Sequence, residues 1–365
     1  GDEVLYHTTV GDDLRANLSV FASANERADV VVATGGLGPT ADDLTREALA
    51  AAAGVELERD EASLERIRQM FADRGRRMPQ RNELQAMFPR GATAIRNEHG
   101  TAPGVRMAVP REGRPPCQVF ALPGVPAEMM PMFEETVAPA IAKLHQRPRV
   151  IRHRRLKCFG VGESRLEEML PGMFDRGREP RVGITVSKAT ITLRITATGE
   201  TDQACLDAIR PIEELARHTL GDLVFGEEDE ELQHVVVREL VERSLTLVVA
   251  DHASHGLLPG WLSVADQAGL AFQFGQVGPA RPLDEQAAVA LAVDLRSAQQ
   301  TEVALVLAPA TVTHGVESVV VALVTADASE TRVFPNLGHP DIEHARAAKL
   351  ALNQLRLHLL EADEP

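Results

Sequence analysis

Gly35, Gly36 and Gly38 fall within four residues and are followed by Pro39, Thr40 and two adjacent carboxylates, Asp42 and Asp43. Glycines reach positive φ and let a ligand come close to the backbone. Free N–H groups and the dipole at a helix start favour an anion, most often a phosphate. Carboxylates beside a phosphate cradle repel the phosphate unless a divalent cation bridges them. Asp42 and Asp43 therefore have two readings, neutralising a helix dipole or holding a metal, and the residue types alone leave both open.

Other groups able to do chemistry are scattered along the chain. Asp12 and Asp13 precede a segment with helical periodicity, where capping is the plain role. Arg74, Arg76, Arg77 and Arg81 cluster after an amphipathic segment, and a solvated surface is a simpler reading than phosphate recognition. Asn82 stands at the start of a further helical segment, again as a cap. Gly100-Thr101-Ala102-Pro103-Gly104 is a turn on its chemistry. Glu128 follows Pro123-Gly124-Val125-Pro126 near a helix start, either as a dipole partner or as a pocket acid. His252, Ser254 and His255 bring a hydroxyl close to two imidazoles, yet a Ser and a His so near in sequence share a hydrogen bond only through a favourable turn. His255 and His314 lack metal-ligand spacing. Cys117, Cys158 and Cys205 are far apart and odd in number, which gives neither a disulfide framework nor a metal motif and points to a reducing cytoplasm.

The elements that must position these groups alternate. Val4–Val10 reads as a strand, Leu14–Ala28 as a helix, Val30–Ala33 as a buried strand and Thr40–Ala53 as a helix, with Thr40-x-x-Asp43 a capping-box variant. This is the βαβ order of a parallel sheet covered by helices, in which ligands bind outside the carboxyl ends of the strands. Glu61–Arg74 packs Leu64, Ile67, Met70 and Phe71 into a core. Val119–Leu122 and a helix over Ala127–Leu144 repeat the strand-loop-helix unit. The basic run from Arg147 to Lys157 has no interleaved aromatics and reads as a charged linker and edge strand. A small α+β unit follows, with a helix after Gly160-Val161-Gly162, strands at Val182–Val186 and Ala189–Thr198, and a helix over Asp202–His218. After the acidic Glu227–Glu231 come a helix through His234–Arg243, strands at Leu245–Ala250, Val303–Leu307 and Val316–Val324, and a closing helix, Ile342–Leu360.

The string GGLGPTADDLT at 35–45 resembles the signature of the molybdenum-cofactor-biosynthesis-like domain. With PGVPAEM at 123–129 and the last third of the chain, the whole resembles the competence/damage-inducible CinA family. The resemblance implies an α/β protein in three parts: an N-terminal, parallel-sheet, three-layer domain of molybdenum-cofactor-biosynthesis type (1–148), a small α+β KH-like middle domain (149–226) that spaces and pairs subunits, and a C-terminal α/β deamidase-like domain (227–365). It also implies an opening strand and helix ahead of Gly1, with a G-[TD]-E-L-like loop contributing to the same pocket. Asp12 and Asp43 align with functional acids of related enzymes. The same resemblance places Gly35, Gly36, Gly38, Thr40, Thr45, Asn82, Gly100, Pro103, Gly104, Pro123 and Gly124 around a ligand, and turns Glu128 towards the pocket.

In active relatives the last domain is a nicotinamide-mononucleotide deamidase, with a Ser nucleophile and Lys and Tyr partners. Here Ala250-Asp251-His252-Ala253-Ser254-His255-Gly256-Leu257 stands where the family has A-E-S-C-T-G-G-L. Tyr6 is the only tyrosine, and Lys349 is the only lysine after residue 230. The family's G-S-S motif is replaced near Ala268-Gly269-Leu270, its G-I-A-G-P loop is reduced to Leu307-Ala308-Pro309-Ala310, and the segment carrying the Tyr and Lys is shortened to Gly275–Pro282. A serine without a base is a poor nucleophile, so this domain is expected to be degenerate.

At 365 residues the chain has length for two or three domains. Its net charge of −15 argues against a general nucleic-acid binder, and its apolar runs are too short to cross a bilayer. The expectation is a homodimer that binds a small nucleotide. It hydrolyses a diphosphate such as ADP-ribose at the glycine loop with a divalent metal (Mg, Mn or Co), using Asp12, Asp43 and Glu128, with Asp42 and Asp43 on the metal. A non-catalytic nucleotide- or pterin-binding module is the first alternative, and an altered amidohydrolase using Ser254 the second.

Overall fold

The computed structural model describes residues 4–144, 149–311, 317–335 and 339–361, in two units spanning 1–148 and 149–365. In the first unit, α1 (Leu14–Arg27), β1 (Val30–Thr34), α2 (Thr45–Ala52), β2 (Leu57–Arg59) and α3 (Glu61–Asp73) lead to a 3₁₀ stretch at Gln80–Ala86. Then come β3 (Met87–Pro89), β4 (Thr93–Ile95), β5 (Gly104–Arg111), β6 (Arg114–Leu122), α4 (Pro126–Met132) and α5 (Ala138–Ala142). The main sheet has the order β1-β6-β5-β4, with β1 parallel to β6 and the other pairs antiparallel; β2 and β3 form a separate ribbon. Successive residues of a strand face opposite sides, and β6 uses both. Cys117, Val119 and Ala121 pack with Phe21 of α1 and Ala48 and Leu49 of α2, while Phe120 and Leu122 pack with Met132, Val137 and Ile141. The result is a three-layer α/β domain.

Several expected elements shift. Residues 4–10 form no strand, and Val4, Leu5 and Tyr6 are exposed; without a ladder partner an alternating pattern has no sheet to join. The helix expected from Thr40 starts at Thr45, because residues 40–43 close a turn of their own, Asp43 N donating to Thr40 O at 3.2 Å. Asp42 and Asp43 therefore precede the helix and are not in its first turn. The helix expected over 127–144 is interrupted by a π turn at Phe133–Val137, between Pro131 and Pro139; prolines lack the N–H that a regular helix requires.

The second unit contains two sheets. The first holds β7 (Val150–Cys158), α6 (Glu163–Met169), β8 (Arg181–Ser187), β9 (Thr190–Gly199), α7 (Asp202–Leu220) and β10 (Val224–Glu227). Its order is β10-β7-β9-β8, antiparallel throughout, and its core joins Leu156, Leu193 and Ile195 to Leu166 of α6 and Ile209 of α7. The basic strand β7 is thus interior, not an edge. Its charges are matched across two faces: Arg152 and Arg154 reach Asp202 and Glu213 of α7, while Arg155 and Lys157 reach Glu228, Asp229 and Glu231 beyond β10.

The second sheet is built from α8 (Leu232–Glu242), β11 (Leu247–Asp251), α9 (Leu257–Ala265), β12 (Phe272–Val277), α10 (Glu285–Gln299), β13 (Val303–Pro309), β14 (Ser318–Val324), β15 (Ser329–Pro335) and α11 (Pro340–Glu361). Strand order is β12-β11-β13-β14-β15, with β11 parallel to both neighbours and β14 and β15 antiparallel. Val249, Leu305 and Val321 face α8, α9 and α11; Val248, Val306 and Val320 face α10. His314 lies outside the described residues. No helix among the described residues is long and apolar enough to cross a membrane.

One polar cluster joins the two sheets. Glu231 accepts from Lys157 at 3.1 Å, from Lys349 of α11 at 2.8 Å and from Thr190 of β9 at 3.0 Å, and Lys349 also donates to Thr190. Burial pushes the Glu231 carboxyl up, but the two lysines outweigh it and hold the group below its ordinary 4.5; for Lys349, burial outweighs Glu231 and lowers its pKa. Glu231→Gln leaves a nearly sealed lysine without its counter-ion and is expected to lower stability by about 3–5 kcal/mol in urea denaturation. Arg152→Gln, which breaks the exposed pair with Asp202, should cost under about 1 kcal/mol. Since the folded pKa of Glu231 is depressed, its contribution is complete above pH 4.5 and fades as pH falls through the lowered value.

Candidate functional site

The strand registers bring four segments to one edge of the N-terminal sheet. Thr34 pairs with Leu122, Ala121 with Val105, and Ile95 with Gly104. The carboxyl ends of β1, β6 and β4 and the start of β5 therefore coincide. From them project the glycine loop, Pro123-Gly124, residues 96–99 and the Gly100–Gly104 turn. Gly35 N donates to Leu122 O at 2.9 Å, and a Cβ on Gly124 would meet Gly35 Cα at 3.4 Å. Glycine at 124 lets the two loops touch.

Thr45 aims the loop. Its hydroxyl donates to Gly35 O at 2.8 Å and its amide to Gly36 O at 3.1 Å. A trans peptide directs its N–H opposite to its C=O, so the Gly36 and Leu37 amides are turned away from Thr45, and neither donates to any acceptor among the described residues. Gly35 and Gly36 have φ of +97° and +67°, and a Cβ at Gly36 would overlap the Thr45 hydroxyl. An unpaired amide beside positive-φ backbone suits an anion; Gly36 is half-buried and offers its own, while the Leu37 amide is unpaired within a residue 1% exposed. Thr45 itself is buried and its hydroxyl is committed, so it acts through the backbone and not by touching a ligand.

Asp43 organises the rest of the loop. Its Oδ2 accepts from Thr40 N at 2.8 Å and Thr40 Oγ1 at 2.5 Å, and its carboxylate occupies the space a Cβ on Gly38 would take. Partial burial raises its pKa, but the bonds from Thr40 and Gly38 and the charge of Arg46 prevail and hold it below the ordinary range. Asp42 is exposed. Asp13 caps α1, accepting from Ala16 N at 2.8 Å; Asp12, just ahead of it, is exposed and meets no partner among the described residues.

Two side chains that sequence reading missed complete the edge. Arg46 is 3% exposed, and its Nη2 donates to Leu37 O at 2.8 Å and reaches Pro103 O at 3.5 Å, tying the glycine loop to the 100–104 turn. Burial lowers its pKa to about 10, and its Nε has no partner. Asn97 donates to Glu128 at 2.7 Å and to Ala102 O at 2.9 Å, and accepts from the His99 and Gly100 amides. Gly100 packs directly on the Glu128 carboxylate, where any Cβ would overlap it. Glu128 thus belongs to this edge. Asn82 does not act as a helix cap; it is buried in the 3₁₀ stretch and donates to Gln85 at 2.8 Å.

No three His, Cys, Asp or Glu among the described residues converge as a metal cage. The donors suit the other mode, in which one or two carboxylates share an ion with ligand phosphates: Asp43 keeps Oδ1 outside its bonds to Thr40, and Asp42 is exposed.

In the second unit the serine at the end of β11 is sealed. Ser254 is fully buried; its hydroxyl donates to Asp251 at 2.5 Å and accepts from Leu258 N at 3.1 Å. His252 meets Pro279 O, while the His255 ring lies 4.2 Å from that of His344. No hydrogen bond joins Ser254 to either histidine. The three cysteines are buried and unpaired, and burial raises the Cys117 and Cys158 thiols to about 11 and 12.

Residues 1–143 match the family described as "Probable molybdopterin binding domain", and residues 153–226 match "Damage-inducible protein CinA KH domain". A "CinA-like protein" of Frankia casuarinae is 42% identical over 302 residues, covering 80% of this chain and 68% of the relative. A "Putative competence-damage inducible protein" of Desulforamulus reducens is 37% identical over 263 residues, covering 72% and 62%. The chain thus spans 62–68% of the length of these two relatives. A solved structure, "the protein CinA with unknown function from Thermoplasma acidophilum", is 36% identical over a match covering 35% of this chain and 72% of that one, with a TM-score of 0.31.

Thr45→Val removes the hydroxyl that turns the Gly35–Gly36 peptide while keeping the side-chain shape. It is expected to weaken inorganic pyrophosphate binding about tenfold (~1.4 kcal/mol), and Thr45→Ser to preserve it. Calorimetric titration of the folded variants checks both.

Proposed function

The chain belongs to the CinA family of competence/damage-inducible proteins, and from that premise we propose that its N-terminal edge binds a nucleotide diphosphate such as ADP-ribose and hydrolyses it with a divalent metal. The observation that carries this reading is the pair of unpaired amides at Gly36, half-buried, and Leu37, buried behind it, on the sheet edge that also holds Asp43 and Glu128. Those amides bind phosphate oxygens, and Arg46 fixes the loop beneath them while adding a positive charge. Asp43 and Asp42 would hold a divalent ion (Mg, Mn or Co), which would supply charge neutralisation and a more acidic water when bound. Glu128, held by Asn97, orients water at the other side of the loop. Asp12 remains a further carboxylate for the same step.

A second reading, a binding module without turnover, draws on one observation: the carboxylates of Asp43 and Glu128 are both engaged by neighbouring side chains. The amidohydrolase reading has less to draw on, since Ser254 is sealed and Lys349 is bound to Glu231. Pairing of two copies through the second unit, and a cytoplasmic setting, belong to the same proposal.

The test is AMP release from ADP-ribose with Mg, Mn or Co, with ammonia release from nicotinamide mononucleotide followed in parallel. The expected result is AMP formation that falls at least about a hundredfold in Asp43→Asn, which retains an acceptor for Thr40. Nucleotide binding without AMP release under every metal would transfer the assignment to the binding module. Ammonia release lost in Ser254→Ala would overturn the reading of the second unit.

A further inference from the structure

A cleft of about 300 Å³ opens between α3 and the segment 94–103, lined from α3 and its cap by Asp60, Ala62, Ser63, Arg66, Ile67 and Met70. Its other wall includes Ala94, Arg96, Gly100 and Pro103. The glycine loop is absent from that lining, yet the two places share a wall. Gly100 rests on the Glu128 carboxylate, and the Pro103 carbonyl is the one that Arg46 reaches while holding Leu37. The Gly100–Pro103 turn therefore stands between the cleft and the free amides.

The cleft's chemistry differs from the loop's. Ile67, Met70, Ala62, Ala94 and Pro103 give it apolar walls. Arg66 and Arg96 stand at its side and share one carboxylate, Glu98, the first at 2.9 Å, and the Asp60 carboxylate also lines the cleft, so its two guanidiniums are balanced by two carboxylates. The Ser63 amide is used in capping α3, but its hydroxyl has no partner among the described residues. Apolar walls, a planar cation and one free hydroxyl suit a flat ring with polar edges: a guanidinium stacks on a π face, and an apolar pocket with few polar groups orients its ligand through them. At about 300 Å³ the cleft stands at the lower end for a small-molecule site, with room for part of a nucleotide and not for a dinucleotide.

We propose that this cleft is the base subsite of the nucleotide whose phosphates lie on the Gly36 and Leu37 amides, so that the ligand straddles the Gly100–Pro103 turn. The inference rests on the nucleotide reading of the N-terminal edge and assigns α3 to ligand selection.

Ala62→Trp fills the cleft from α3, and Ala94→Phe fills it from β4. Both positions are exposed and neither side chain lies in the glycine loop. Calorimetric binding of AMP, ADP-ribose and inorganic pyrophosphate to the full chain, with folding checked by circular dichroism, reads the outcome. The expected result is at least a tenfold loss for AMP and ADP-ribose in both variants, with pyrophosphate affinity within twofold of the parent. That pattern in a protein that never releases AMP would uphold the subsite while removing the hydrolytic reading. Unchanged AMP and ADP-ribose affinity in both folded variants would overturn the subsite and leave the hydrolytic reading standing. Equal loss of all three probes would also overturn it. A parent protein that binds pyrophosphate but neither nucleotide would overturn it as well.

Discussion

β1 and β6 run parallel with Thr34 opposite Leu122, and the ladder extends one residue beyond the strand, where the Gly35 amide meets the Leu122 carbonyl. That last bond determines what the next residues can do. Beyond it the chain has left the sheet and has not entered a helix, so its amides must find other partners or remain available. Thr45 takes the carbonyls of Gly35 and Gly36, which removes the choice of peptide orientation. Leu37, 1% exposed as a whole residue, anchors the loop twice, through its side chain in the core and through a carbonyl held by Arg46. A buried guanidinium is costly to desolvate, and here it meets carbonyl oxygens, with no carboxylate of the described residues in salt-bridge reach. The loop is thus set before any ligand arrives, which is what an electrostatic site needs in order to avoid reorganising on binding.

The second unit is organised by a different economy of charge. The basic strand that a nucleic-acid reading would use has its cations matched by acids of the same unit, so Arg152, Arg154, Arg155 and Lys157 are occupied in joining a sheet to its helices. Glu231 is the meeting point. It caps α8 and at the same time receives lysines from β7 and α11. Lys349, 3% exposed, donates to Glu231 and Thr190, so its amine is committed to this cluster.

How much of this was legible in the sequence depends on whether a feature is local. The glycine spacing, the Asp13 cap and the bond between Thr40 and Asp43 are decided within a few residues, and all three are visible as short patterns. The start of α2 was not, because the Thr40–Asp43 turn satisfies its own groups and so ends before the helix begins. Val4–Val10 alternates as a strand would, but alternation specifies a face only where a sheet is present to receive it. Arg46 and Asn97 gave no signal. A cation in the first turn of a helix runs against the dipole, and an Asn between Arg96 and Glu98 looks like surface; their roles arise from loops 57 and 31 residues away. The interior position of β7 was hidden for the same reason, since its acidic partners lie up to 74 residues downstream.

The two units contain the same local chemistry with opposite outcomes. Each places a carboxylate and a hydroxyl three residues apart in the turn that leads from a parallel strand to a helix: Thr40 with Asp43, and Asp251 with Ser254. In the second pair Asp251 collects the amides of Ala253, Ser254 and Gly256 as well as the hydroxyl, and both residues are fully buried. Those three amides and the hydroxyl converge on one carboxylate, which seals Ser254 into the turn. In the first pair Asp43 takes the donors of Thr40, downstream of the loop's bend, and the amides of Gly36 and Leu37 remain unspent on the opposite side of peptides pinned by Thr45. At the N-terminal edge the Gly36 amide is left without an acceptor among the described residues, whereas at the end of β11 the serine and its carboxylate are sealed together.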